Sequence, residues 1–287
     1  MTSTIKISRI ILVALILMIP IQLLGTDVND YLFQGADMHY KGQLDLAIDA
    51  FTTAIQIEPK NEYAHNQLGV LYAKKNEFEK AFHEFEQVVN YNSKNTFALL
   101  WIGICELKCI HLDAAFHVFK KIIELDPNHA DAYYFIGSIY LIQHNPIAAI
   151  DYLKKAQEVD GEEAETHYRL AKAFHGLDMM ANALLEYERT IELDPKHTNA
   201  MNEIGWIYVV QGEYQKAIQQ WEKSRAVNPH HSDTVLNLAR VYNELALQKI
   251  ESGNTKDAIT NWEKTISVNP GNKAALYYLT KYKTKKN

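Results

Sequence analysis

The sequence predicts an all-α fold, an array of antiparallel helical hairpins, and three observations predict it. Proline recurs on a fixed interval: Pro59, Pro127, Pro195 and Pro229 lie 68, 68 and 34 residues apart, so the period is 34, with Ser93 and Gly161 in the proline slot of the units between. Small residues recur on the same interval in two columns, and a bulky, mostly aromatic residue recurs in a third. Glycine (12) and proline (7) are scarce for 287 residues while tyrosine (17) is plentiful. That usage suits helices packed through rings better than a sheet with many tight turns.

Numbering each unit from Val28 as position 1 makes the columns explicit. Position 8 holds Gly35, Gly69, Gly103, Gly137, Ala171, Gly205 and Ala239. Position 20 holds Ala47, Ala81, Ala115, Ala149, Ala183 and Ala217, and position 24 holds Phe51, Phe85, Phe119, Leu153, Tyr187 and Trp221. Positions 4, 7, 8 and 11 share one face of a first helix, and 20, 24 and 27 one face of a second. Small residues at 8 and 20 let the two backbones approach, and the ring at 24 fills the space beside them. Proline at 32 stops the second helix and sets the turn into the next unit. Pro146 instead opens a second helix, where its missing N–H is harmless and Asn145 can cap.

A 34-residue unit with these columns resembles the tetratricopeptide repeat, and the resemblance runs from about Val28 to the end. It implies seven repeats within 28–272, at 28–61, 62–95, 96–129, 130–163, 164–197, 198–231 and 232–272, wound as a right-handed α-α superhelix. The last unit departs from the pattern. Val235, Leu238, Ala239 and Tyr242 fill its first-helix slots, whereas Ala258, Trp262, Thr265 and Pro270 come seven residues late. Seven residues are close to two helical turns, so both helices of that hairpin are expected to lengthen around a Ser252-Gly253-Asn254 turn. Residues 273–287 then form a capping helix and tail, with Leu276 and Leu279 facing back and lysines facing water. No separate second domain is expected.

The N-terminal residues 1–26 read as a signal peptide or signal-anchor helix. Lys6 and Arg9 precede an apolar run from Ile10 to Ile21, and Asp27 and Asp30 follow, which is the order of an export segment. Basic residues ahead of the run place the remainder on the far side of the membrane. Leu23 and Gly25 make a poor cleavage site, so the expectation is a retained anchor contacting the membrane through residues 5–24. The repeat region would then be on the non-cytosolic side, in a bacterial periplasm; the alternative is secretion after cleavage.

Composition excludes some functions. A formal net charge of −6 offers no basic face for nucleic acid. No glycine-rich phosphate loop, nucleophile elbow or paired zinc motif occurs, so no catalytic residue, metal or cofactor is assigned and the chain is read as non-enzymatic. His83, His117, His129, His144, His197, His230 and His231 read as surface side chains at helix ends and turns. Cys105 and Cys109, four apart on one helix, read as small apolar fillers rather than a redox or metal pair.

The resemblance also implies where a partner binds. In this family the first helices line a concave groove through positions 2, 5, 9, 12 and 13. Here these give Phe97, Leu100 and Ile104 in the third unit, Tyr134 and Leu141 in the fourth, and Tyr168 and Lys172 in the fifth. Asn202, Trp206 and Val209 follow in the sixth and Arg240 in the seventh. Apolar and aromatic lining with an amide able to hold a peptide backbone favours a protein or peptide partner with hydrophobic anchors. The lysine, asparagine and arginine clamp of chaperone-tail binders is absent, since its slots hold Leu32, Ala36, Gln67, Phe97 and Trp101. The expected function is a membrane-tethered scaffold or adaptor in the assembly of a larger complex. The alternatives are a self-assembling, homo-oligomeric membrane coat and the substrate-binding arm of an enzyme system.

Overall fold

The computed structural model describes residues 27–283, and among them it forms fifteen α-helices and no strand. The apolar segment read as a signal or anchor helix lies outside the described residues. Among the described residues no helix is long and apolar enough to cross a membrane.

The helices group into two compact units, one ending at Pro127 and one beginning at Asn128. The first holds three hairpins: α1 (Val28–Tyr40) with α2 (Leu44–Ile57), α3 (Glu62–Lys74) with α4 (Phe78–Tyr91), and α5 (Thr96–Lys108) with α6 (Leu112–Leu125). The second holds α7 (Ala130–Ile142) with α8 (Pro146–Val159), α9 (Ala164–His175) with α10 (Met180–Leu193), and α11 (Thr198–Val210) with α12 (Tyr214–Val227). It continues through α13 (Ser232–Glu251) and α14 (Thr255–Val268) to a final helix, α15 (Lys273–Lys283).

Steric complementarity closes each hairpin. A methyl group built on Gly35, Gly69, Gly103 or Gly137 would lie 2.8, 2.6, 2.5 or 2.5 Å from the side chain of Phe51, Phe85, Phe119 or Leu153. Gly205 stands in the same relation to the Trp221 indole. Phe51, Phe85, Phe119 and Leu153 are fully buried, as are the position-20 alanines of the same hairpins. In these five hairpins the glycine is therefore the floor on which the bulky side chain of the second helix rests, and a methyl group there would overlap it.

The turn inside every hairpin repeats as well. Gly42, Asn76, Ile110, His144, Asp178, Gly212 and Gly253 all have φ between 56° and 77°. Two hydrogen bonds close the first helix over each: at α1, Gly42 N–H donates to His39 O and Gln43 N–H to Met38 O, at 3.0 and 2.9 Å. This is the paired C-terminal closure that a left-handed residue permits. Ile110 is the costly member, because a β-branched side chain is disfavoured there. Several first helices begin on side-chain caps: at α3 and α5, Asn61 and Asn95 accept from Ala64 N and Ala98 N at 2.9 and 3.0 Å.

The last hairpin differs from the expectation that both helices lengthen. The α13 helix has 20 residues, but α14 has 14, like every other second helix. The extra two turns let α13 serve two cores in succession. Its first half gives Leu238, Val241 and Tyr242 to the cluster around Ala217 and Trp221. Its second half gives Ala246 to the cluster with Ala258, Trp262 and Ala275. Ala246, two helical turns beyond Ala239, thus sits beside the displaced ring of Trp262.

Helix α15 also corrects the sequence reading. Leu279 is partly buried against the Trp262 cluster, but Leu276 is 46% exposed. The buried stripe runs through Ala275, Tyr278, Leu279 and Tyr282, spaced as one helical face. Position 4, where Leu276 falls, points in other units at the hairpin's own second helix, and α15 has none among the described residues.

Candidate partner-binding surface

None of the eleven residues assigned to a groove is buried; each is half-buried or exposed. Three of them, Phe97, Leu100 and Ile104, fall in the first compact unit and the other eight in the second.

In the first unit, Phe97 opens α5 and is 45% exposed. It meets the ring of Phe85 edge-on at 6.2 Å and that of Trp101 at 6.4 Å. Trp101 in turn lies parallel to Phe85, with centroids 5.6 Å apart. Burying Phe85 under Gly69 thus builds a platform on which Trp101 and then Phe97 stack. Leu100 and Ile104, on the same helix, are half-buried.

In the second unit, Asn202 and Trp206 of α11 and Arg240 of α13 line one cleft together with Glu203, Asp233, Leu236 and Asn237. Trp206, Val209 and Arg240 also line an adjoining depression over Trp221. Asn237 Nδ2–H donates to Asn202 Oδ1 at 3.1 Å, and the Trp221 indole N–H donates to the Asn202 carbonyl at 3.0 Å. Among the described residues the Asn202 amide nitrogen and the Asn237 amide oxygen make no hydrogen bond, which leaves a donor and an acceptor side by side. Trp206 is 37% exposed. Arg240 is exposed and forms no ion pair among the described residues. The cleft therefore offers a flat apolar surface, an amide pair and a free guanidinium at close range.

Tyr134 and Leu141 on α7, and Tyr168 and Lys172 on α9, occupy a more polar, cross-linked stretch of the same unit. Lys172 and His175 reach Glu203 of α11 at 3.8 and 3.5 Å. Glu165 of α9 bonds Arg169 at 3.0 Å and His197 at 3.4 Å. Burial opposes ionisation of Glu165, but the hydrogen bond from His197 and the charge of Arg169 outweigh it and hold the carboxyl below its usual range. Burial raises the Tyr134 phenol and pushes the Tyr168 phenol up to about 12. Tyr168 stacks against the His197 ring, with centroids 4.6 Å apart.

His197 and His231 are caps: their Nδ1 atoms accept from Ala200 N and Thr234 N at 3.1 and 3.3 Å. Two histidines that the sequence reading passed over are buried: His65, 5% exposed, and His167, 4% exposed. Each occupies position 4 and bonds a glutamate at position 23 of its own hairpin, Glu84 or Glu186. The co-occurrence of histidine at 4 with glutamate at 23, in these two units only, was the available signal.

Cys105 is buried and Cys109 exposed at the end of α5, both with free thiols. Burial, with Cys109 and Glu106 adding to it, pushes the Cys105 thiol up to about 12, which makes it unreactive at neutral pH. Among the described residues no group of three or more histidine, cysteine or carboxylate side chains is placed to hold a metal ion.

Models of the tetratricopeptide repeat match residues 63–95, 130–163 and 164–197, and a second such model matches 186–219. A third, described as a TPR repeat, matches 35–76. No curated protein sequence matches the chain. Among solved structures, the chain is similar to the C-terminal part of a TPR repeat-containing protein from Cytophaga hutchinsonii. The two are 18% identical over 86% of this chain and 99% of that one, with a TM-score of 0.69. It is similar to PilF of Pseudomonas aeruginosa at 16% identity, over 74% and 97% of the two chains, with a TM-score of 0.65. It is also similar to YrrB at 22% identity, over 66% and 98%, with a TM-score of 0.52. At these identities the likeness is one of fold. The chain carries tetratricopeptide repeats, arranged as an all-helical, solenoid-like fold of the kind typical of protein-interaction scaffolds.

Proposed function

We propose that the chain is a non-catalytic scaffold that holds a protein or peptide partner on its first-helix face, with the cleft between α11 and α13 as the main contact. The observation that carries this reading is the exposed Trp206 indole beside the unpaired Arg240 and the Asn202–Asn237 amide pair. Exposed tryptophan and arginine side chains beside a recess are the usual energetic centres of protein interfaces. The amide pair can meet the N–H and C=O of one partner peptide unit, and Leu236 extends the apolar floor. YrrB, similar in fold, is described as having an unusual peptide-binding site.

Pull-down from solubilised membranes tests the reading. Trp206→Ala should weaken capture about tenfold or more while the melting temperature stays near that of the unaltered chain. Leu185→Ala, which removes a more exposed apolar side chain from the second helix α10, should leave capture unchanged. Equal loss with both variants would remove the cleft as the contact.

The scaffold is proposed to be tethered through residues 5–24, with the repeats on the non-cytosolic side in assembly of a larger complex. Support comes from Lys6 and Arg9 ahead of the apolar run. A reporter that functions only outside the cytosol, fused after Asn287, should be active. An inactive reporter on a stably produced fusion would contradict the tether's orientation.

A further inference from the structure

The two buried histidines share more than burial. His65 Nδ1 lies 2.7 Å from Glu84 Oε2, and its Nε2 lies 3.0 Å from the Pro59 carbonyl. His167 Nδ1 lies 2.6 Å from Glu186 Oε2, and its Nε2 lies 3.1 Å from the Gly161 carbonyl. Pro59 and Gly161 both occupy position 32 of the preceding repeat, so one three-part arrangement occurs twice, three repeats apart. Each ring joins three elements: the first helix that carries it, the second helix of its own hairpin, and the turn arriving from the hairpin before.

The chemistry of the partners restricts the proton count. A carbonyl oxygen can only accept, so Nε2 must carry a hydrogen. A carboxylate can only accept, so Nδ1 must carry one as well. The ring facing both is an imidazolium. Losing one proton turns one nitrogen into a lone pair aimed at an oxygen, and that contact becomes repulsive in a buried site where water cannot replace it.

We infer that His65–Glu84 and His167–Glu186 are a matched pair of proton-dependent clamps, which lock hairpins α3–α4 and α9–α10 to their preceding turns when protonated and loosen them when the imidazolium loses its proton. The charged surroundings fit this assignment. Around His65 stand Glu84 and Tyr91 on α4, with Lys60 of the turn over the Tyr91 ring, and Tyr72 of α3 lies within reach of the Glu84 charge. Around His167 stand Glu186 and Arg189 on α10 and the Gln157 amide of α8, whose N–H donates to Glu186 Oε2 at 3.4 Å. Burial works against the charged His65 ring, but Glu84 and the Pro59 carbonyl outweigh it and raise its pKa. For His167 the hydrogen bond to Glu186 is the largest influence and raises it; burial and Arg189 oppose without reversing the direction.

The sign follows from linkage. A histidine whose folded pKa exceeds its unfolded value of about 6.5 stabilises the fold fully below that pH, and the contribution fades as pH rises through the folded value. The hairpin α5–α6 supplies a titration-free replacement for the same slots, Leu99 at position 4 and Val118 at position 23. The test compares the intact chain with the quadruple variant His65→Leu, Glu84→Val, His167→Leu, Glu186→Val. Between about pH 6 and about pH 9 the intact chain should lose melting temperature, and the variant should lose several degrees less. Equal losses would overturn the clamps. Long-range ¹H–¹⁵N spectra of the intact chain read the rings directly, whether or not the variant folds. At about pH 6.5 both nitrogens of His65 and His167 should be protonated; a neutral single tautomer at either ring would overturn the assignment for that hairpin.

Discussion

Gly103→Leu is expected to destabilise the first compact unit by about 3 kcal/mol or more, at the top of the range for overpacking a filled core. A Cβ at residue 103 already falls 2.5 Å from the Phe119 ring, well inside contact distance. Phe119 is fully buried and lies in a column with Ala115 and Ile122 along the buried face of α6, so the ring has no vacant direction. Relief requires α5 to move away from α6. That movement would also disturb the platform of Phe97 and Trp101 carried by α5. Denaturant titration checks the effect as a lowered midpoint, and near-ultraviolet circular dichroism reports the loosened aromatic packing.

Trp262→Ala should cost about 3–5 kcal/mol of the stability of the C-terminal helices. The indole is fully buried and holds α15 through two stacked tyrosines. Tyr278 lies at 4.8 Å with planes 10° apart, and Tyr282 at 5.5 Å with planes 22° apart. Removing it takes away the surface on which α15 rests, and α15 has few other buried side chains: only Ala275 is fully covered. Hydrogen exchange should show amides of 273–283 losing protection before those of α11 and α12. Uniform loss across the second unit would show that α15 is not an independently held cap.

What the sequence revealed, and what it hid, follows from how each feature is encoded. The hairpins were legible because close approach of two backbones admits only glycine or alanine, so steric need writes itself into columns such as Gly69–Phe85 and Gly205–Trp221. The left-handed turn column stayed hidden because only Gly42, Gly212 and Gly253 in it are glycine, while Asn76, Ile110, His144 and Asp178 adopt the same backbone. The shift from Ala239 to Ala246 beside Trp262 was concealed by helical periodicity, since residues seven apart share a face. In the cleft, Asn202, Trp206, Val209 and Arg240 were found by their positions. Glu203 and Asn237 were not, because position 6 lies one residue round the helix from position 5 and still borders the recess. His65 and His167 were missed because position 4 is a slot for bulk, and bulk there says nothing of a charge partner nineteen residues on.

Nestling of a glycine floor against a ring explains both the hairpins and the face that the first helices present. It is tested most directly by a double-mutant cycle on Gly103→Ala and Phe119→Ala, read by denaturant unfolding. If the ring is what forbids the methyl group, Gly103→Ala should be costly in the intact chain and nearly neutral once Phe119 is alanine, a coupling of about 1 kcal/mol or more. Equal costs in the two backgrounds, within about 0.5 kcal/mol, would contradict the packing from which the rest is built.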